Sequence, residues 1–69
     1  MVKPITPQQL NILQFVGKHP GVEKEQLTRL AKATDEDLKY LEENDMIREQ
    51  REPGHYRIAH FGEMVLRRG

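Results

Sequence analysis

Three arginines around one turn dipeptide carry the most pointed chemistry in this chain. Arg48 and Arg51 precede Pro53–Gly54, and Arg57 follows it. Guanidinium groups are planar, permanently charged forks that match phosphate oxygens. On a hairpin they can lie along a phosphate backbone or enter a minor groove. The same charges also keep an exposed hairpin soluble and protect its edge, so both readings stand. Upstream the chemistry reverses. Asp35, Glu36 and Asp37 are consecutive carboxylates, with Glu42 and Glu43 shortly after. In the first turn of a helix such acids each contribute about 0.3–1 kcal/mol against the helix dipole. Aimed at phosphates they oppose binding, whereas a basic protein surface would suit them.

Other residue groups point to less. Lys18, Lys24, Arg29 and Lys32 are candidates for helix phosphate contacts or for an ordinary solvated face. Of the three histidines, His55 and His60 fall near one another, but no third ligand at zinc-like spacing accompanies them. There is no cysteine and no glycine-rich phosphate loop, and His55 has no nucleophile in reach of a recognisable pattern. We expect no enzymatic activity, no metal and no cofactor.

The elements that must position these charges can be read in order. Thr6-Pro7-Gln8-Gln9 fits a capping box with proline at the first helical position, flanked by Ile5 and Leu10 as a hydrophobic staple. Leu10, Ile12, Leu13, Phe15 and Val16 then cover more than half the helix circumference. That predicts either a central helix or one that meets another subunit. His19-Pro20-Gly21 turns the chain. A second helix is predicted from about Glu23 to Lys32. Thr34 caps a third, with Leu38 and Leu41 inward, Lys39 and Tyr40 turned elsewhere, and Asn44-Asp45 able to end it in left-handed geometry. Two strands follow, Ile47 to Arg51 and His55 to Ala59, joined by a type II turn on Pro53-Gly54. With Glu52 opposite His55, Arg48 and Arg57 are diagonal neighbours on an exposed face. Phe61 to Arg68 forms a last short helix. The apolar side chains Ile12, Phe15, Met64, Val65 and Leu66 exceed what a one-sided packing needs, which points to association.

Sixty-nine residues allow one small domain, expected over 1–69. No apolar run reaches the ~20 residues that span a bilayer. No signal peptide is evident, so the expectation is a cytoplasmic protein that does not enter membranes. Charged residues make up 32% and the net charge is zero, so the distribution decides. Residues 1–34 carry five basic and two acidic side chains. Residues 35–45 carry six acids against Lys39. Residues 46–69 carry five arginines against three glutamates.

Two parts of this pattern resemble a winged helix-turn-helix domain of the multiple-antibiotic-resistance-regulator (MarR) type. The first is Thr6-Pro7-Gln8-Gln9-Leu10 through Ile12-Leu13 to His19-Pro20-Gly21-Val22 and Leu27. The second is Leu38-x-x-Leu41-Glu42-Glu43-Asn44-Asp45-Met46-Ile47, then Tyr56-Arg57-Ile58 and Phe61-Gly62. The resemblance implies a mainly α fold with a small β-hairpin: three helices, a two-stranded wing and a short C-terminal helix. It implies a DNA-binding transcriptional regulator in which Arg48, Arg51 and Arg57 meet phosphates or a minor groove and Lys39 and Tyr40 face the major groove. Domains of this type often dimerise through terminal helices, so it also implies a homodimer. Asp45 and Ala59 replace the family's usual glycine and threonine. Between Ala31 and Leu38 the chain is short by roughly two helical turns, where base-contacting side chains are held. The alternative is a winged helix repurposed as a protein-binding module or an inhibitor of a regulator, meeting a basic protein surface through Asp35, Glu36, Asp37, Glu42 and Glu43.

Overall fold

Thr6 closes the first helix as its spacing predicts. Its side chain accepts from Gln9 N at 3.1 Å, and Thr6 N donates to Gln9 Oε1 at 3.0 Å. The computed structural model describes residues 4–68. In chain order its elements are α1 (Pro7–Lys18), β1 (Val22–Glu23), α2 (Lys24–Leu30), α3 (Asp35–Glu43), β2 (Ile47–Glu49), β3 (His55–Ile58) and α4 (His60–Arg68). The molecule is mostly helical, with one small antiparallel sheet in the order β1-β3-β2. This arrangement is compatible with a winged-helix-like layout.

The sheet has three strands, not the expected two. Val22 pairs with Tyr56 and Glu23 with His55, so β3 is central. β1 is a two-residue strand, made by a partner distant in sequence rather than by any local alternation. It occupies the start of the segment predicted to be helix two. α2 therefore begins at Lys24, and it ends at Leu30. Lys32 follows at φ +55°, and Leu27 O accepts from both Ala31 N and Ala33 N.

The hairpin register also differs from expectation. Ile47 pairs with Ile58, Arg48 with Arg57 and Glu49 with Tyr56, two residues away from the predicted alignment. An even displacement leaves the paired residues Ile47, Arg48, Glu49, Tyr56, Arg57 and Ile58 on their expected faces, whereas Ala59, expected on the exposed face, is buried. The displacement shortens β2, which ends at Glu49, and takes Arg51 out of the ladder. The connection keeps its turn: His55 N donates to Glu52 O at 3.3 Å and Gly54 has φ +85°, the left-handed value a type II turn needs there. His60, placed by the predicted register on the strand face, instead begins α4.

α1 packs on β3, α4 and α2, which explains its wide apolar stripe. Ile12, Leu13 and Val16 are fully buried with Leu27, Leu41 and Met46. Of the side chains that suggested association, Ile12 and Val65 are inside the monomer, and Phe15 and Leu66 lie half-buried against its core. Leu30 and Phe61 are the large apolar groups left exposed among the described residues.

Met46 is the joint between helix and sheet. α3 ends with Asp45 at φ +58°. Met46 N bonds Leu41 O at 2.9 Å and Asp45 N bonds Glu42 O at 3.2 Å, the paired bonds of a Schellman ending. Met46 O then accepts from Ala59 N at 3.0 Å. Gly62 is buried directly over that carbonyl, and a Cβ there would overlap the oxygen. No helix among the described residues is long and apolar enough to cross a membrane.

Candidate nucleic-acid interface

Strand parity sorts the hairpin into two faces. Ile47 and Tyr56 turn inward and are buried, while Arg48 and Arg57 turn outward and are exposed. The observed register makes the two arginines direct partners instead of diagonal neighbours. Directly opposed side chains have Cβ atoms about 4.5–5.5 Å apart, and like charges so placed repel. Arg51 joins them from the connection. Together with Glu49, Gln50 and Glu52 the three arginines line one open concavity of about 570 Å³. Among the described residues the ion pairs are Lys24–Asp35 and His55–Glu52, and neither involves these arginines.

The acidic residues are placed very differently. Asp37 belongs to the fold. Its N–H donates to Thr34 Oγ1 at 3.1 Å, its carboxylate accepts from Thr34 N at 3.4 Å, and the other oxygen accepts from Gln9 Nε2 on α1 at 3.3 Å. Asp35 pairs with Lys24 of α2 at 3.1 Å. Glu42 is half-buried; burial first, and then repulsion from Glu49, push its carboxyl above the usual range, with Lys24 opposing. Tyr56 rests beside this group. Its phenol is pushed up by burial and then by Glu42, Glu49 and Asp35. Glu36 and Glu43 are exposed.

Lys39 and Tyr40, expected together on a base-reading surface, have different surroundings. Lys39 is exposed. Tyr40 is half-buried against the core and donates its hydroxyl to the Pro4 carbonyl. Its own carbonyl accepts from Asn44 Nδ2 at 2.7 Å. Tyr40 is thus a tether for the segment ahead of α1. Of the other basic candidates, Lys24 is held by Asp35, while Lys18, Arg29 and Lys32 are exposed.

His55 was weighed from sequence only as a metal ligand or a catalytic histidine. His55 belongs to the outer face of β3 with Arg57. Its Nδ1 lies 2.9 Å from Gly21 O, and its Nε2 lies 3.5 Å from Glu52 Oε2. The signal available in the sequence was its strand parity with Arg57. No group of three His, Cys, Asp or Glu among the described residues is arranged to hold a metal ion.

The outcome is a small helical domain whose sheet turns Arg48 and Arg57 outward with no ion pair to either among the described residues, and whose third helix is capped by Asp37, bonded to Gln9 of α1, and joined to α2 by an exposed Asp35–Lys24 pair. Comparison with protein-family models, with curated proteins and with solved structures finds no match.

Proposed function

We propose that this chain is a winged-helix protein that binds DNA through the outer face of its hairpin, in the manner of a small transcriptional regulator. The observation that supports this most is the pairing of Arg48 with Arg57, with Arg51 beside them and no carboxylate bonded to any of the three among the described residues. Opposed arginines repel one another in the free protein. A phosphate backbone laid across them removes that repulsion and releases counterions from the DNA. On this reading the hairpin supplies the affinity. α3 supplies little, since its exposed residues Asp35, Glu36, Lys39 and Glu43 are mostly acidic. Contact would then follow backbone and groove shape more than base identity.

The test is a titration of mixed-sequence duplex at low salt. Three phosphate contacts predict a log–log salt slope of about −2.7, and changing Arg48, Arg51 and Arg57 to Ala abolishes binding. Absence of binding at low salt sinks the proposal.

A second reading has its own observation. Glu36 and Glu43 are exposed and unpaired among the described residues, next to the half-buried Glu42. An acidic surface of this kind suits a basic protein partner. It predicts a captured partner that is lost when Glu36 and Glu43 become Gln; retention of the partner would rule it out.

A further inference from the structure

We propose that His55 is a fourth, proton-gated cation of the arginine face, so that the hairpin grips phosphate more tightly as pH falls. This rests on reading that face as a nucleic-acid interface. His55 begins β3 two residues before Arg57 and pairs with Glu23 of β1. Residues two apart on a strand share a face and are separated by roughly 7 Å. Tyr56 between them is buried at 4% exposure, so His55 and Arg57 both turn away from the core.

The ring's two contacts make its proton count matter. A carbonyl only accepts, so Nδ1 carries a proton toward Gly21 O at 2.9 Å. In the neutral ring Nε2 is then a bare acceptor, and it faces the Glu52 carboxylate at 3.5 Å. A proton on Nε2 converts that opposition into attraction. The imidazolium then spans Gly21, in the turn before β1, and Glu52, in the hairpin connection. It also adds one positive charge beside Arg57 and Arg48.

The charged groups around the ring come from every neighbouring element. Glu52 lies in the connection and Glu23 opposite on β1. Arg57 follows on β3, and Arg48 on β2 is its partner. Lys24 donates its backbone N–H to Gly54 O at 2.8 Å, and Glu49 accepts from Gly54 N at 2.8 Å. The other histidines are elsewhere: His19 meets Phe15 at a tilt, with ring centroids 4.7 Å apart, and His60 meets Phe61 edge-on at 5.4 Å.

The experiment titrates mixed-sequence duplex into the full chain, H55Q and H60Q at about pH 5.5 and about pH 8. Amide exchange is followed on the same proteins without DNA. A cation already paired with Glu52 releases at most one further counterion, so the salt slope steepens by up to about 0.9 and binding tightens by up to about eightfold at about 0.1 M salt. The gain is expected at the lower pH in the natural chain and in H60Q, and not in H55Q. In the absence of DNA, the His55 amide, which closes the turn onto Glu52 O, exchanges more slowly at the lower pH relative to other sheet amides. Glu52→Gln removes that difference. Binding that is equal at both pH values, or a pH dependence that survives H55Q, overturns the gate and leaves the interface standing. Slowed exchange with no DNA binding at either pH leaves the clasp standing and overturns the interface.

Discussion

The hairpin and α3 lie on either side of Met46 and carry opposite charges, yet they differ more in what those charges hold. In α3, Asp37 caps its own helix and reaches Gln9, Asp35 holds Lys24, and Glu42 is half-buried beside Tyr56 and Glu49. On the hairpin, Arg48 and Arg57 oppose each other and Arg51 completes a concavity, with no ion pair to any of them among the described residues. Acids that hold the fold are poor evidence for a partner. Arginines that oppose one another, with no ion pair among the described residues, point to a partner more directly. Of the negative charges ahead of Leu38, Asp37 marks how a short helix is fixed in place, while Glu36 is exposed and without an ion pair among the described residues.

That contrast separates stability from binding, and substitutions should do the same. The largest effect is expected where the two regions meet. Gly62→Ala sets a Cβ against Met46 O and should destabilise by about 3 kcal/mol, as overpacked cores do. In a domain with roughly 5 kcal/mol in hand, urea denaturation would show most of the stability gone; an unchanged midpoint would mean the helix and sheet do not meet as described. Asp37→Ala removes half of the α3 capping box and the bond from Gln9, and should lower stability by about 1 kcal/mol. Changing Arg48, Arg51 and Arg57 together to Ala should move stability by no more than about 0.5 kcal/mol while removing DNA binding. A loss of stability in the arginine variant comparable to Asp37→Ala would erase the distinction.

Smaller effects test details of α3. Asp45→Gly relieves a left-handed backbone at φ +58° and should raise stability by about 0.5 kcal/mol. Glu42 gives a pH signature. Its carboxyl is raised above 4.5 in the fold, chiefly by burial. A raised folded value means the favourable contribution is complete below the ordinary carboxylate range and is lost as pH rises through the folded value. Glu42→Gln should therefore be more stable than the natural chain at neutral pH, with the two denaturation midpoints converging below about pH 4.

Much of the helical framework was legible because helix ends are written locally. Thr6 with Gln9, Thr34 with Asp37, and Asp45 after α3 are each decided within a few residues. The hairpin's faces were legible too, because side-chain parity survives an even displacement of register. What was hidden depended on distant partners. β1 exists because Tyr56 and His55 pair with it. Tyr40 donates to Pro4, 36 residues away, and His55 meets Gly21 across 34. Arg51 left the ladder because β2 stops at Glu49, and Ile12 and Val65 read as surplus because α1 proved central. The acids of α3 show the same limit in the site: their spacing announced a charged helix, and only the contacts of Asp37 with Gln9 and of Asp35 with Lys24 show which of them are occupied.

The most direct measurement is a titration of duplex DNA into isotopically labelled protein at low salt, followed residue by residue in amide spectra. Binding through the hairpin moves Arg48, Arg51, His55 and Arg57 and leaves Asp35, Glu36 and Glu43 unmoved. Shifts concentrated on α3, or no shifts anywhere, would contradict it.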